Sequence, residues 1–266
     1  MKIVTLVENI VKSGNLWAEH GLALYLETDN RKILFDTGQS GLFMQNAEKL
    51  GIPVEEIDSV ILSHGHYDHT GGLYPFLERN NKAVIYAKEE IFIPKYCGKS
   101  IFAGTPLNES LIKDRIIFVD RVTELDENVF IMPHTKIYFP VDTHFKEFNK
   151  KVNDRIVPDE FDDELFLTIK HNNKLNILTA CSHRGVTNIC ETANNHFNLP
   201  VRLILGGFHM SDCTTEQYVH ILYYFRTIKL KTIGLSHCNG LEKYAAMYQE
   251  CESHLFYNYT GNTIRI

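Results

Sequence analysis

The segment SHGHYDHTGG, Ser63 to Gly72, crowds His64, His66, Asp68 and His69 into six residues. Neutral imidazoles and carboxylates are the usual ligands of zinc-like ions. Their density predicts a metal site, with a polar turn as the plainer alternative. Asp68 also has a local reading, as a helix cap ahead of Thr70. Three more histidines share one kind of setting: His183 in CSHRG, His209 in GGFH and His237 in SHC. Asp36, in LFDTG, reads as a carboxylate that orients a ligand histidine, or as an Asx turn closing on Gly38. Cys181 and Cys238 each adjoin this set. As thiolates they are possible metal ligands, but buried thiols more often act as small hydrophobes, which is the reading preferred for both.

Something must hold these residues in place, and the spacing of apolar residues predicts strands. Lys2–Glu8, Gly21–Glu27 and Lys32–Phe35 are short and rich in β-formers, and Ser59–Ser63 delivers the chain into the histidine turn. Helices are expected over Ser40–Leu50 and from Thr70 onward, followed by a strand at Ala83–Ala87. Later strands over 175–178, 201–205 and 232–235 lead respectively to His183, His209 and His237. A hairpin partner is expected over 165–169 around His171–Asn173, a last strand near 255–257, and amphipathic helices over 215–227 and 241–250. Four strand ends thus deliver candidate ligands, where a sheet fixes them and loops leave an open face. Residues 93–160 show no clear period; they are read as an irregular insert, either lid or plain loop. Nothing marks a linker, so one domain over 1–266 carrying that insert is expected.

The ordered set His64-x-His66-x-Asp68-His69, then His183 and His237, with Asp36 before it, resembles the metallo-β-lactamase superfamily over nearly the whole chain. SHGHYDHTGGL, CSHRG, GGFH and SHC are similar to one subgroup of metal-dependent hydrolases, which includes 7,8-dihydropterin-6-methyl-4-(β-D-ribofuranosyl)aminobenzene-5'-phosphate synthase. The resemblance implies an α/β (α+β) fold, a four-layer αββα sandwich. It implies two divalent ions, zinc foremost with manganese or iron as alternatives. One would be held by His64, His66 and His183, the other by Asp68, His69 and His237. In many members a bridging aspartate follows the strand that here ends in LILGG; Gly206 and Gly207 have no carboxylate to offer. His209 is the nearest replacement, as a ligand of the second ion or as a proton donor or phosphate contact.

The expected function is a metal-dependent enzyme hydrolysing a small phosphate- or diphosphate-bearing, pterin-like substrate by hydroxide attack. One alternative is a transferase joining a dihydropterin methyl diphosphate to an arylamine; another is a non-catalytic metal-binding or sensor protein. Arg184, Lys95 and Lys99 are candidate contacts for the substrate's anionic groups, with ordinary solvated charges as the plainer reading. His134 and His144, near the irregular middle, are candidates to line a pocket.

Composition bounds the partners. The chain of 266 residues has 27 basic against 33 acidic residues, a net charge of −6. That balance disfavours nucleic acid, which needs a basic face, yet leaves room for a small anionic substrate beside a metal. Six cysteines without a CxxC pair suggest reduced thiols. MKIVTLVENI is too short and interrupted for a signal peptide, and no apolar run approaches the roughly 20 residues of a membrane span. A cytoplasmic protein without membrane attachment is expected.

Overall fold

The computed structural model describes residues 1–266. Contacts divide the chain into two compact units: Met1–Asp120 with Lys146–Asp163 and Tyr259–Ile266, and Arg121–Phe145 with Glu164–Asn258. Each contains one seven-stranded sheet. The fold is mixed α/β, with several sheets and a few helices.

In the first unit the sheet begins with the antiparallel strands Lys2–Val7, Ala23–Glu27 and Lys32–Phe35. It continues in parallel through Ser59–Ile61, Val84–Ala87 and Ile116–Phe118. The chain's last strand, Thr263–Arg265, pairs with the first. Leu34, Val60 and Ile85 are fully buried in one core with Phe43 and Phe76 from the helices Leu42–Lys49 and Leu73–Arg79. Strands buried in this way read as continuous apolar runs, which is why KILF and SVI are legible in the sequence. The helix expected from Thr70 is split: a single turn over Tyr67–Thr70 precedes Leu73–Arg79.

The second unit has the sheet order 255-side strand His254–Tyr257, then Thr232–Leu235, Val201–Gly206, Lys174–Leu178, Phe166–His171, Val129–Met132 and Thr123–Asp126. The four strands from Lys174–Leu178 to His254–Tyr257 are parallel neighbours. Their carboxyl ends therefore fall on one edge, where open α/β sheets place their binding residues. Thr215–Thr227 is helical as expected, and its Thr214 forms a capping box with Gln217. The helix Val186–Phe197 was not apparent from the sequence. Its Thr, Asn and β-branched residues are weak helix formers, and packing of Val186, Ile189, Cys190 and Ala193 into the core supports it instead.

The stretch 93–160 is more regular than its sequence suggested. Lys95–Cys97, Ile101–Phe102, Phe148–Val152 and Arg155–Pro158 form a small antiparallel sheet. Two of its strands are only two or three residues long, too short to show an alternation. No helix is long and apolar enough to cross a membrane.

Candidate metal centre

In the first unit, Asp36 follows the strand Lys32–Phe35 and His64 lies three residues past Ser59–Ile61, its parallel neighbour. Asp36 takes the left-handed conformation, φ 60°, which aspartate tolerates better than most side chains. Its carboxylate is fully buried and accepts three hydrogen bonds: from Ser63 N–H at 2.7 Å, from Ser63 Oγ at 2.7 Å and from His69 Nδ1 at 2.8 Å. That contact assigns the His69 proton to Nδ1 and leaves Nε2 to bind a metal. His69 Nε2 lies 3.6 Å from an Asp68 oxygen, which is also 3.2 Å from His20 Nε2. His64 Nε2 and His66 Nδ1 are 3.1 Å apart. Asp68 lies inside the short helical turn and does not cap it; His66 holds the cap position.

The imidazoles are buried, and burial is the main reason they stay neutral. It pushes His66 down to about 3 and holds His64 well below its ordinary value, where His69 and His66 add repulsion. A metal ligand must be neutral imidazole, so these histidines are held in the binding form.

A buried ion-pair network braces the same turn. Asp163 accepts the Gly65 N–H at 2.7 Å and pairs with Lys95 Nζ at 2.9 Å; Lys95 also reaches Asp159 at 2.5 Å. Burial alone would lower the Lys95 ammonium, but Asp163 and Asp159 outweigh it and hold it above its usual range. Lys95, considered above as a substrate contact on a lid, is thus an interior cation committed to two carboxylates. Lys99 is exposed on the tip between two short strands.

In the second unit, Cys181, Ser182 and His183 follow Lys174–Leu178, His209 follows Val201–Gly206, and His237 follows Thr232–Leu235. Ser182, His209 and His237 all have φ between 53° and 57°. A left-handed conformation costs roughly 1–2 kcal/mol for such residues, and strain of this kind gathers at functional sites. Side chains and backbone hold it there. Glu164 accepts the N–H of His183 at 2.6 Å and of Arg184 at 2.9 Å. Ser182 Oγ donates to Gly207 O at 2.8 Å. Asn239 accepts the Phe208 N–H and donates to Gly206 O and Ser236 O, tying two of the turns together.

Donors in this unit converge. Ligand atoms of Cys181, His183 and His209 lie within 4.8 Å of one another, and so do those of Cys181, His237 and Cys238. The His183 and His209 ring centres are 4.5 Å apart, and His144 packs 5.4 Å from His209. The His144 N–H donates to His183 O at 2.7 Å. His134 is exposed. Arg184 turns its Nε to Thr135 O at 3.1 Å. Nitrogen and sulfur donors at this spacing, on buried strand ends, fit a divalent ion.

Several working residues carried no signal strong enough to be found in advance. Asp159, Asp163 and Glu164 look like part of a polar loop, DEFDDE, and only their burial shows that each has a fixed partner. An acidic run entering the apolar strand Phe166–His171 was the available clue.

Two sheets carry histidines and acids at strand ends, an α/β architecture with candidate metal-binding groups. The chain belongs to the metallo-β-lactamase superfamily: the family model of that description matches residues 16–148. A relative from Methanocaldococcus jannaschii, 7,8-dihydropterin-6-methyl-4-(beta-D-ribofuranosyl)-aminobenzene-5'-phosphate synthase, is 30% identical over 261 residues, covering 91% of this chain and 88% of the relative. The crystal structure of Tm1679, a metal-dependent hydrolase of the β-lactamase superfamily, superposes with a TM-score of 0.88 at 28% identity, covering 100% of this chain and 99% of that one. A diphosphatase of the PhnP family, at 12% identity and a TM-score of 0.55 over 100% of this chain and 97% of its own, shares the fold.

Proposed function

We propose that this protein is a metal-dependent enzyme with a two-metal centre, acting on a small phosphate- or diphosphate-bearing substrate. In this assignment His64, His66 and His183 serve one ion, and Asp68, His69 and His237 the other, as the superfamily resemblance implies. The observation that carries the reading is the HxHxDH turn itself: buried histidines kept neutral, with His69 oriented by Asp36. A structural zinc site would need no more than four tightly closed ligands; this chain supplies more donors than one closed site uses.

Divalent ions held there supply Lewis-acid polarisation of a phosphoryl oxygen and lower the pKa of water. The chain's own residues do the rest. Asp36 fixes the tautomer of His69, Glu164 fixes the backbone of His183, and the Asp163 carboxylate fixes the Gly65 N–H between the first two histidines. His209, half-buried and close to His183, is positioned as a proton donor or phosphate contact. Six cysteines outside any disulfide accord with a reducing, cytoplasmic setting.

The similarity to the dihydropterin synthase favours a second reading, in which an arylamine displaces diphosphate from a dihydropterin methyl diphosphate. Product mass after incubating zinc-loaded protein with that diphosphate, with and without an arylamine, separates the two. An adduct that requires the amine establishes the transferase. Release of phosphate or diphosphate without an adduct establishes the hydrolase. No turnover of this or of simpler phosphoesters, by fully metallated protein, overturns the enzyme reading in favour of a metal-binding or sensor protein.

A further inference from the structure

We propose that the metal ion at His237 is held partly by sulfur: Cys181 and Cys238 join His237 as a Cys2His donor set, with the thiolates supplying the negative charge that the Gly206-Gly207 turn cannot. This rests on the reading of His237 as a metal ligand and goes beyond it by assigning two new ligands and a metal preference.

Three observations meet at this point. First, Cys181 Sγ, Cys238 Sγ and a His237 ring nitrogen lie within 4.8 Å of one another. They come from two turns that follow separate strands.

Second, Gly207 is closed in by a backbone carbonyl and by the sulfur. A Cβ at Gly207 would sit 2.5 Å from Cys238 Sγ and would also strike the Ala180 carbonyl oxygen. The space where a carboxylate-bearing side chain would start is therefore taken by the Ala180 carbonyl oxygen and the Cys238 thiol together. Substituting an acid at 207 and keeping Cys238 where it is are sterically exclusive.

Third, the Cys238 sulfur is fixed by polar contacts on two turns, donating to Cys181 O at 3.8 Å and accepting a backbone N–H as well. The His209 backbone N–H points at Cys238 Sγ at 3.3 Å, and donor contacts of this kind orient and tune a metal-bound ligand. His209 and His237 both adopt the left-handed backbone, φ 53° and 57°, so the two turns that bring N–H, sulfur and imidazole together do so against local conformational preference.

On binding, each thiol releases its proton to solvent and the sulfur lone pair goes to the ion; no electron transfer is involved. Soft sulfur donors select zinc-like ions over manganese and magnesium, whose preferred ligands are carboxylate and water.

The test is X-ray absorption on the zinc-loaded full-length protein, together with the near-ultraviolet spectrum after cobalt substitution. A mixed shell is expected, with Zn–S near 2.3 Å beside Zn–N at about 2.0–2.1 Å, and with a thiolate-to-cobalt charge-transfer band. Cys238→Ser should remove part of the sulfur shell. It should weaken zinc binding by more than the roughly 10–100-fold lost with an outer partner. The Cys181→Ser, Cys238→Ser double variant should lose the band altogether. Metal-free variants that unfold at the parent's temperature show that the fold is intact; if Cys238→Ser does not fold, the spectra of the unaltered protein alone decide. Zinc bound at full stoichiometry in a nitrogen and oxygen shell, without the cobalt band, would overturn the sulfur ligands while leaving the histidine centre standing. Protein that retains no metal overturns both.

Discussion

At the scale of single residues, the turn from His64 to His69 combines candidate ligands with the groups that aim them. His64 is fully buried between His66 and His69, its ring centre 4.4 Å from that of His69. His64→Ala is expected to remove one nitrogen ligand and abolish activity, with metal content per chain falling by at least one equivalent in plasma emission analysis. A fully metallated, active variant would refute its place in the site. The same burial sets a pH dependence for the metal-free protein. His66 is pushed from 6.5 to about 3, and His64 is shifted the same way. Between those values the unfolded chain binds protons that the folded chain refuses, so stability is fully present above about pH 6.5 and is lost as pH falls toward 3. Chemical denaturation of apoprotein across that range should show the fall; a flat profile would mean that the imidazoles take up protons in the folded state.

Whole elements matter because the candidate ligands sit on short turns that need outside support. The small sheet containing Lys95–Cys97 and Phe148–Val152 supplies one such support, since Lys95 and the Asp159–Asp163 segment pair beneath the Gly65 turn. Lys95→Met would leave Asp163 buried without its cation and Asp159 with only Lys150 at 3.7 Å, and breaking a buried pair in this way typically costs about 3–5 kcal/mol. Urea unfolding should register that loss. If Lys95→Met matches the parent in both stability and metal content, the network is not what braces the turn. The arrangement also accounts for a lysine with only 2% exposure in a segment that looks like surface loop.

For the molecule as a whole, an ion that binds only the folded chain adds stability in proportion to its free concentration. At a hundredfold excess over its dissociation constant the gain is about 2.7 kcal/mol. Chelation is therefore expected to lower the unfolding temperature and zinc to restore it, with manganese less effective if sulfur is among the ligands. Thermal scans of chelated, zinc-loaded and manganese-loaded protein check this, and coincident curves would show that no folded-state metal site exists.

The legible part of this protein was what local chemistry writes directly into the chain. SHGHYDHTGG could be read because ligand side chains were adjacent in sequence, and the buried strands around 59–61, 201–206 and 232–235 because strands covered on both faces are uniformly apolar. Asp36 could be read as an orienting acid because a carboxylate at the end of such a strand needs a partner. What depended on tertiary structure was every role created by long-range packing. Lys95 has an ordinary surface composition around it and becomes an interior cation only when residues 159–163 fold against it. Glu164 holds His183 from 19 positions away. Helix Val186–Phe197 and the short strands of 95–158 derive their stability from the surfaces they cover, so their own residues announce them weakly. Cys181 and Cys238 are 57 residues apart, and no spacing rule joins them. Only the parallel order of the strands brings their turns to one edge of the sheet, because side chains at successive carboxyl ends become neighbours regardless of the chain length between them.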